Sequence, residues 1–162
     1  RRSTFEQAMS GQGDEVLPVG SPIGYPAEKR SVRDSLMRKG LKADDRIPFG
    51  KLYFRNTFEN ELTEDTAGDF AEALEMARLA PSAGNKQPWR AVVDGDKVHF
   101  YEQKSMKDSP LGDIQKVDVG IALAHFDMTM EESGYAGSFV FDDPGIQTPA
   151  ETYYIVTYER KR

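Results

Sequence analysis

Apolar positions along the chain recur with two different periods, and the longer period marks the helices. Ile114, Val117, Ile121, Ala124 and Met128 keep helical spacing, and Val119, Leu123, Phe126 and Met130 form a second stripe on the same segment. The pattern predicts a helix over about 111–133, ended by Gly134 and apolar on two sides. Such a helix belongs at a domain centre or in a subunit interface. A second helix is expected over 69–80, with Phe70, Ala73, Leu74 and Ala77 on one stripe and Met76, Leu79 and Ala80 on another. Asp69 and Glu72 have the spacing of a capping box, and Pro81 stops the segment. A third helix, about 27–39, carries few apolar residues (Val32, Leu36, Met37) and reads as a surface helix with Gly40 just past its end. Thr4–Met9 fits a short helix.

The period-two segments lie around a turn signal. Arg90–Val93 and Lys97–Tyr101 flank Asp94-Gly95-Asp96, which predicts a hairpin. In it Trp89, Ala91 and Val93 share a face with Val98 and Phe100. Trp89 reads as a packing anchor, and His99 points to the other side. Thr152–Tyr158 is rich in β-branched and aromatic residues and reads as a strand. Shorter extended pieces are expected at Glu15–Gly20, where Pro18 implies a sheet edge, at Lys51–Phe54 and at Ser138–Phe141. Arg55–Thr66, polar and acidic, reads as a connecting loop. The sum is an α+β fold with helices packed on an antiparallel-rich sheet.

Composition narrows the chemistry. The 162 residues fit one domain able to bury roughly 70% of its unfolded surface. A net charge of −6 argues against a general nucleic-acid binder. With no cysteine and two histidines, His99 and His125, neither disulfides nor a metal site is expected. Asp118 and His125 are seven residues apart, about 10 Å along a helix, too far for a direct acid–base pair. No apolar run is long enough to span a bilayer and no signal peptide opens the chain, so a cytoplasmic protein is expected.

The candidate chemistry lies in Ala80-Pro81-Ser82-Ala83-Gly84-Asn85-Lys86-Gln87-Pro88-Trp89-Arg90, between a helix end and a strand start. Two prolines and a glycine give a sharply bent backbone. Ser82, Asn85 and Gln87 offer neutral donors and acceptors, while Lys86 and Arg90 add positive charge. Residues 80–89 resemble the flavin-binding loop of the nitroreductase family. Ser21–Pro26 followed by Asp45–Pro48 resembles that family's Gly-Tyr-Pro and Arg-x-Pro segments, and Asp118–Ala122 with His125-Phe126 resembles its central helix.

The resemblance implies a nitroreductase-like α+β fold and an enzyme, an FMN-dependent oxidoreductase. Electrons would pass from NAD(P)H through the flavin to a nitroaromatic, quinone or similar small acceptor. It places Pro81, Ser82, Ala83, Asn85 and Gln87 on the flavin and Arg46 at its phosphate, with no catalytic side chain because the flavin carries the chemistry. Asp44 stands where related sequences often have lysine. The resemblance divides the chain into residues 1–55, the tail of a preceding half-unit, and 56–162, a half-unit with the flavin loop. It implies one half of a pseudo-symmetric unit or homodimer, completed by an N-terminal segment or a second chain. Two other readings are a flavin-binding storage or sensing protein without turnover, and an interaction domain that has lost the cofactor.

Overall fold

The computed structural model describes residues 24–25, 31–108 and 112–161. The expected helix at Thr4–Met9, the extended piece at 15–20, the start of the helix expected from 27, and the Ser21–Pro26 turn, apart from Gly24 and Tyr25, lie outside the described residues. Contacts divide the chain into two units, Arg1–Ser35 and Leu36–Arg162. In chain order the elements are α1 (Val32–Gly40), α2 (Phe49–Leu52), β1 (Tyr53–Arg55), β2 (Thr57–Glu61), α3 (Ala71–Leu79), β3 (Trp89–Asp94), β4 (Lys97–Gln103), α4 (Ile114–Glu132), β5 (Gly137–Val140) and β6 (Thr152–Arg160). Among the described residues six strands form one sheet, in the order β2-β1-β3-β4-β6-β5. All neighbours are antiparallel except β1 and β3. The fold is thus α+β with an antiparallel-rich sheet, as the sequence predicts.

The β3–β4 hairpin sets the two faces of that sheet. Gly95, at φ 57°, closes the turn between the paired residues Asp94 and Lys97. Ala91 then faces Phe100 and Val93 faces Val98 across the strands. Onto this face α4 lays Phe126, whose ring meets Phe100 at 5.1 Å, Tyr158 at 5.0 Å and Phe70 at 6.2 Å between centroids. Phe126, Phe100, Tyr158 and Phe70 are all almost fully buried. Burying one such side chain contributes about 1.5–3 kcal/mol, and edge-to-face pairs add to it.

The opposite face is polar at its centre. His99 and Thr157, paired across β4 and β6, are both buried. Thr157 Oγ1 donates to the Asp142 carbonyl at 3.0 Å, so Nδ1 of His99, 2.8 Å from that hydroxyl, carries the proton and donates to it. Tyr154 lies 2.8 Å from the same hydroxyl and accepts from Asp142 N–H at 3.0 Å. The segment after β5 is thereby tied over the sheet.

Several local expectations need correction. Within the expected 55–66 loop, Thr57–Glu61 is an edge strand. Its single large apolar residue, Phe58, packs on Phe54 and Tyr101, and the polar remainder faces water, so no alternation marks it. Of the expected strand Lys51–Phe54, the first two residues close a helical turn and pairing starts at Tyr53. No capping box forms at Asp69. The reciprocal box is Thr63 with Thr66, and Asp69 instead pairs with Arg160, whose guanidinium also pairs with Asp96. Arg160 is therefore an internal tie between two carboxylates distant in sequence. The long helix starts at Ile114, where Asp113 accepts from Gln115 N–H at 3.0 Å. Gly40 is the last residue of α1 rather than its follower.

Two predictions follow from this packing. A Cβ at Gly137 would lie 2.1 Å from the Tyr158 ring, with no room to shift because that ring is locked between Phe126 and Phe139. Gly137→Ala should lose about 1–3 kcal/mol, read as a lower midpoint in thermal unfolding. Burial holds the His99 imidazole below its ordinary pKa, outweighing the carboxylates of Asp94, Asp142 and Asp143. A depressed histidine stabilises the fold above its unfolded pKa of about 6.5, and that contribution is lost as pH falls through the lower folded value. The unfolding midpoint should therefore decline below about pH 6.5, and His99→Gln should flatten the decline.

Candidate functional site

The chain leaves α3 at Leu79 because Ala80, at ψ 146°, is extended, as a residue before proline must be. Ser82 is also extended, and Ala83–Asn85 make one tight turn closed by the Asn85 N–H on Ser82 O. Gly84, Asn85 and Gln87 then all take left-handed backbone, at φ 58°, 54° and 48°. Glycine does so freely and asparagine tolerates it, but for glutamine the conformation is strained by about 1–2 kcal/mol. Something must hold it.

The backbone of the loop is held from three sides. Ser82 Oγ accepts from Gln87 N–H at 2.9 Å, and Ser82 O accepts from Asn85 N–H at 3.0 Å. Ala83 N–H donates to both carboxylate oxygens of Asp118, on α4, at 3.1 and 3.0 Å. Burial pushes the Asp118 carboxyl above its usual range, and the Ala83 N–H pulls it back toward ionisation. Pro88 O accepts from Gln103 N–H at 2.7 Å, fixing the loop to β4. The half-buried Arg90 guanidinium donates to the carbonyls of Gln87 and Trp89 at 3.0 and 2.6 Å. Burial lowers its pKa to about 10.

The structure brings all six expected site residues together. Pro81 is exposed, Ser82, Ala83, Asn85 and Arg46 are half-buried, and Gln87 is 3% exposed. The amide and guanidinium side chains turn toward segment 42–47. Gln87 Oε1 accepts from Ile47 N–H at 2.8 Å, while Gln87 Nε2 donates to Asn85 Oδ1 at 3.2 Å and Asn85 O at 3.3 Å. Asn85 Nδ2 donates to Lys42 O at 2.6 Å and Asp45 O at 3.0 Å. Arg46 donates to Ala43 O and Asp45 O at 3.0 and 2.9 Å through Nη1, and to Leu79 O at 3.1 Å through Nη2. Asp44 pairs with Arg38.

A planar polar ligand such as a flavin fits part of this donor set. The Ser82 hydroxyl hydrogen and the exposed Lys86 ammonium can meet a carbonyl-rich edge. The side chains of Asn85 and Gln87 do not fit as they stand, since their donors are taken by carbonyls of the chain itself. Arg46 keeps one Nη2 hydrogen beyond the four N–H groups committed to carbonyls, too few for a two-pronged phosphate contact. Asp118 and His125 have separate roles, as their spacing implies: the Asp118 side chain binds the loop, and the His125 carbonyl accepts from Thr129 Oγ1 at 2.7 Å.

Sequence reasoning did not single out Gln115. It is fully buried, accepts from Ser105 N–H and Met106 N–H at 2.9 and 2.7 Å, and donates to Ser105 Oγ at 3.1 Å. Its signal was position, since Gln115, Val119, Ala122, Phe126 and Met130 form the buried stripe of α4. A polar residue on such a stripe needs partners. Among the described residues no group of His, Cys, Asp and Glu is placed to hold a metal ion, and no helix is long and apolar enough to cross a membrane.

Comparison with known proteins bears on what this loop belongs to. No match was found among curated proteins. A crystal structure from Thermotoga maritima, described as a "putative nitroreductase", is similar to this chain at 26% identity and a TM-score of 0.46. The similarity covers 72% of this chain and 41% of that one, so the chain spans less than half of that relative. The family model described as "Putative TM nitroreductase" matches residues 7–130, a stretch that contains Arg46, the whole Pro81–Trp89 loop and most of α4. The chain belongs to the nitroreductase family, a family of oxidoreductases.

Proposed function

We propose that the chain is the flavin-loop part of an FMN-dependent oxidoreductase that takes electrons from NADH or NADPH and passes them to a nitroaromatic, quinone or similar small acceptor. The observation that carries this reading is the rigid loop Pro81–Pro88, fixed to α4 through Asp118 and to β4 through Pro88, in a chain of the nitroreductase family. A bound flavin supplies the hydride acceptor and the electron store between the two half-reactions. The chain's own residues bind and orient. Pro81, Ser82 and Ala83 offer a preorganised edge, with the Ser82 hydroxyl as donor. The exposed Lys86 ammonium would supply positive charge able to stabilise the anionic reduced ring. Asp118 keeps the edge from moving by holding the Ala83 N–H.

The rest of the site is expected from another polypeptide, either a preceding segment of the same protein or a second copy. The support is α4: Ile114 and Met128 are 44% and 59% exposed and Val117 is half-buried, on the side away from the Phe126 stripe, while Ile121 between them is half-buried and packs on the core edge. An open apolar stripe of this kind is an association surface.

FMN titration, followed by NADH or NADPH oxidation with a nitroaromatic acceptor, tests the proposal. Saturable FMN binding, weakened several-fold by Lys86→Ala, and acceptor-dependent oxidation are expected. Binding without turnover would leave a flavin store or sensor. Absence of flavin bands in the protein purified with its complementary segment would remove the flavin reading altogether.

A further inference from the structure

The strongest unassigned feature is the side-chain network between segment 42–47 and the loop. We infer that Arg46, Asn85 and Gln87 form a latch, in which Arg46 caps the C-terminus of α3 and the two amides clamp the 42–47 backbone. They are positioning residues, not ligand contacts.

The reasons are geometric. Each amide hydrogen-bond direction named above ends on this chain: Gln87 reaches Ile47 and Asn85, and Asn85 reaches Lys42 and Asp45. Gln87 is 3% exposed, so its side chain is committed to the interior. Its left-handed φ of 48° is the kind of strain that persists only where side-chain bonds over-determine it. Lys42, whose carbonyl Asn85 holds, has the same conformation at φ 48°.

Arg46 follows a separate logic with the same result. The last carbonyls of a helix lack partners and carry the negative end of its dipole, and a guanidinium satisfies both. Arg46 Nη2 and Nε lie 3.1 and 3.4 Å from Leu79 O, while Nη1 ties back to Ala43 and Asp45. To bind a phosphate with two prongs, this fork would have to leave at least one of those carbonyls, because a single Nη2 hydrogen is uncommitted. Ile47 is gripped at both ends, since its N–H goes to Gln87 and its carbonyl accepts from Arg78 Nη1 at 3.3 Å. Two residues later α2 begins and leads directly into β1, so the latch connects the loop to the edge region of the sheet.

The latch stands whether or not flavin binds; only its consequence for phosphate recognition rests on the proposed function. Two measurements on the full chain test it. The first is hydrogen exchange at the Ile47 amide in flavin-free protein. Gln87→Leu should speed it by about tenfold, the equivalent of one lost hydrogen bond. Gln87→Glu, which keeps an oxygen acceptor, should restore most of the protection. Unchanged exchange in Gln87→Leu would overturn the latch. If that variant fails to fold, faster exchange at Lys42–Ile47 in Asn85→Ala than in the parent carries the same test.

The second measurement compares FMN with riboflavin, which differ by the phosphate alone. Arg46→Met should lower the unfolding midpoint and leave the ratio of the two affinities unchanged, because loosening of the loop affects both ligands alike. A ratio that falls about tenfold, a charge-assisted contact's worth, would make Arg46 a phosphate ligand and overturn its place in the latch. If the parent protein binds neither compound, the flavin reading fails while the Ile47 exchange still decides the latch.

Discussion

The seating of Phe126 fixes most of what surrounds the loop. Its ring joins α4 to Phe100 on β4, to Tyr158 on β6 and to Phe70 at the entry to α3. One side chain therefore sets the height and rotation of α4 against both the sheet and its neighbouring helix. Asp118 lies eight residues earlier, a little over two turns along the helix and about 12 Å away. Its carboxylate meets Ala83 only if that rotation is right. The geometry of a polar loop is in this way inherited from an aromatic contact some distance from it. Phe126→Ala, at about 3–5 kcal/mol for a large-to-small change in a core, would act on the loop through the helix rather than by contact.

The loop itself shows how a costly backbone is made unique. Three left-handed residues within Gly84–Gln87 would be a poor choice for an isolated peptide. Here the strain coincides with the densest side-chain bonding around the loop. Gln87 is at once the most strained of the three and the most completely buried. A hydrogen bond contributes only about 1 kcal/mol net, but leaving its buried partner unmade costs more. Once the 42–47 segment is in place, any relaxation of Gln87 strands both Ile47 N–H and its own amide. Strain and satisfaction are coupled, and the loop has one conformation.

Much of the fold was legible in sequence because its signals were local. Asp94-Gly95-Asp96 specifies a hairpin register by chain geometry alone, and the Val119–Phe126–Met130 stripe marks the buried side of α4 by period. The edge strand Thr57–Glu61 was not legible, because one apolar residue in five gives no alternation. The capping signal at Asp69 misled because the Arg160 guanidinium, ninety-one residues away, competes for the carboxylate and wins. For the site, the sequence placed Arg46 and the Pro81–Trp89 loop together through family resemblance. Where Asn85 and Gln87 point depends on φ at their own positions and on the carbonyls of residues 42–45. Neither is encoded in the loop's own residue types.

The two stripes of α4 have different fates, and the difference bears on the proposed completion of the site by another polypeptide. The stripe of Val119, Ala122, Phe126 and Met130 is spent on the core. The other, from Ile114 through Val117 and Ile121 to Met128, remains partly or largely in contact with water. Asp118 lies between Val117 and Val119, at the border of the two. A polypeptide covering the open stripe would therefore run beside the residue that holds Ala83. Its docking would press on α4 from the side opposite Phe126, next to an Asp118 carboxylate that the fold has already taken out of water. Desolvation of that pair strengthens its hydrogen bond while raising the cost of ionising the acid. In the proposed assembly, a polypeptide on α4 and the Pro81–Pro88 loop would meet at this one carboxylate.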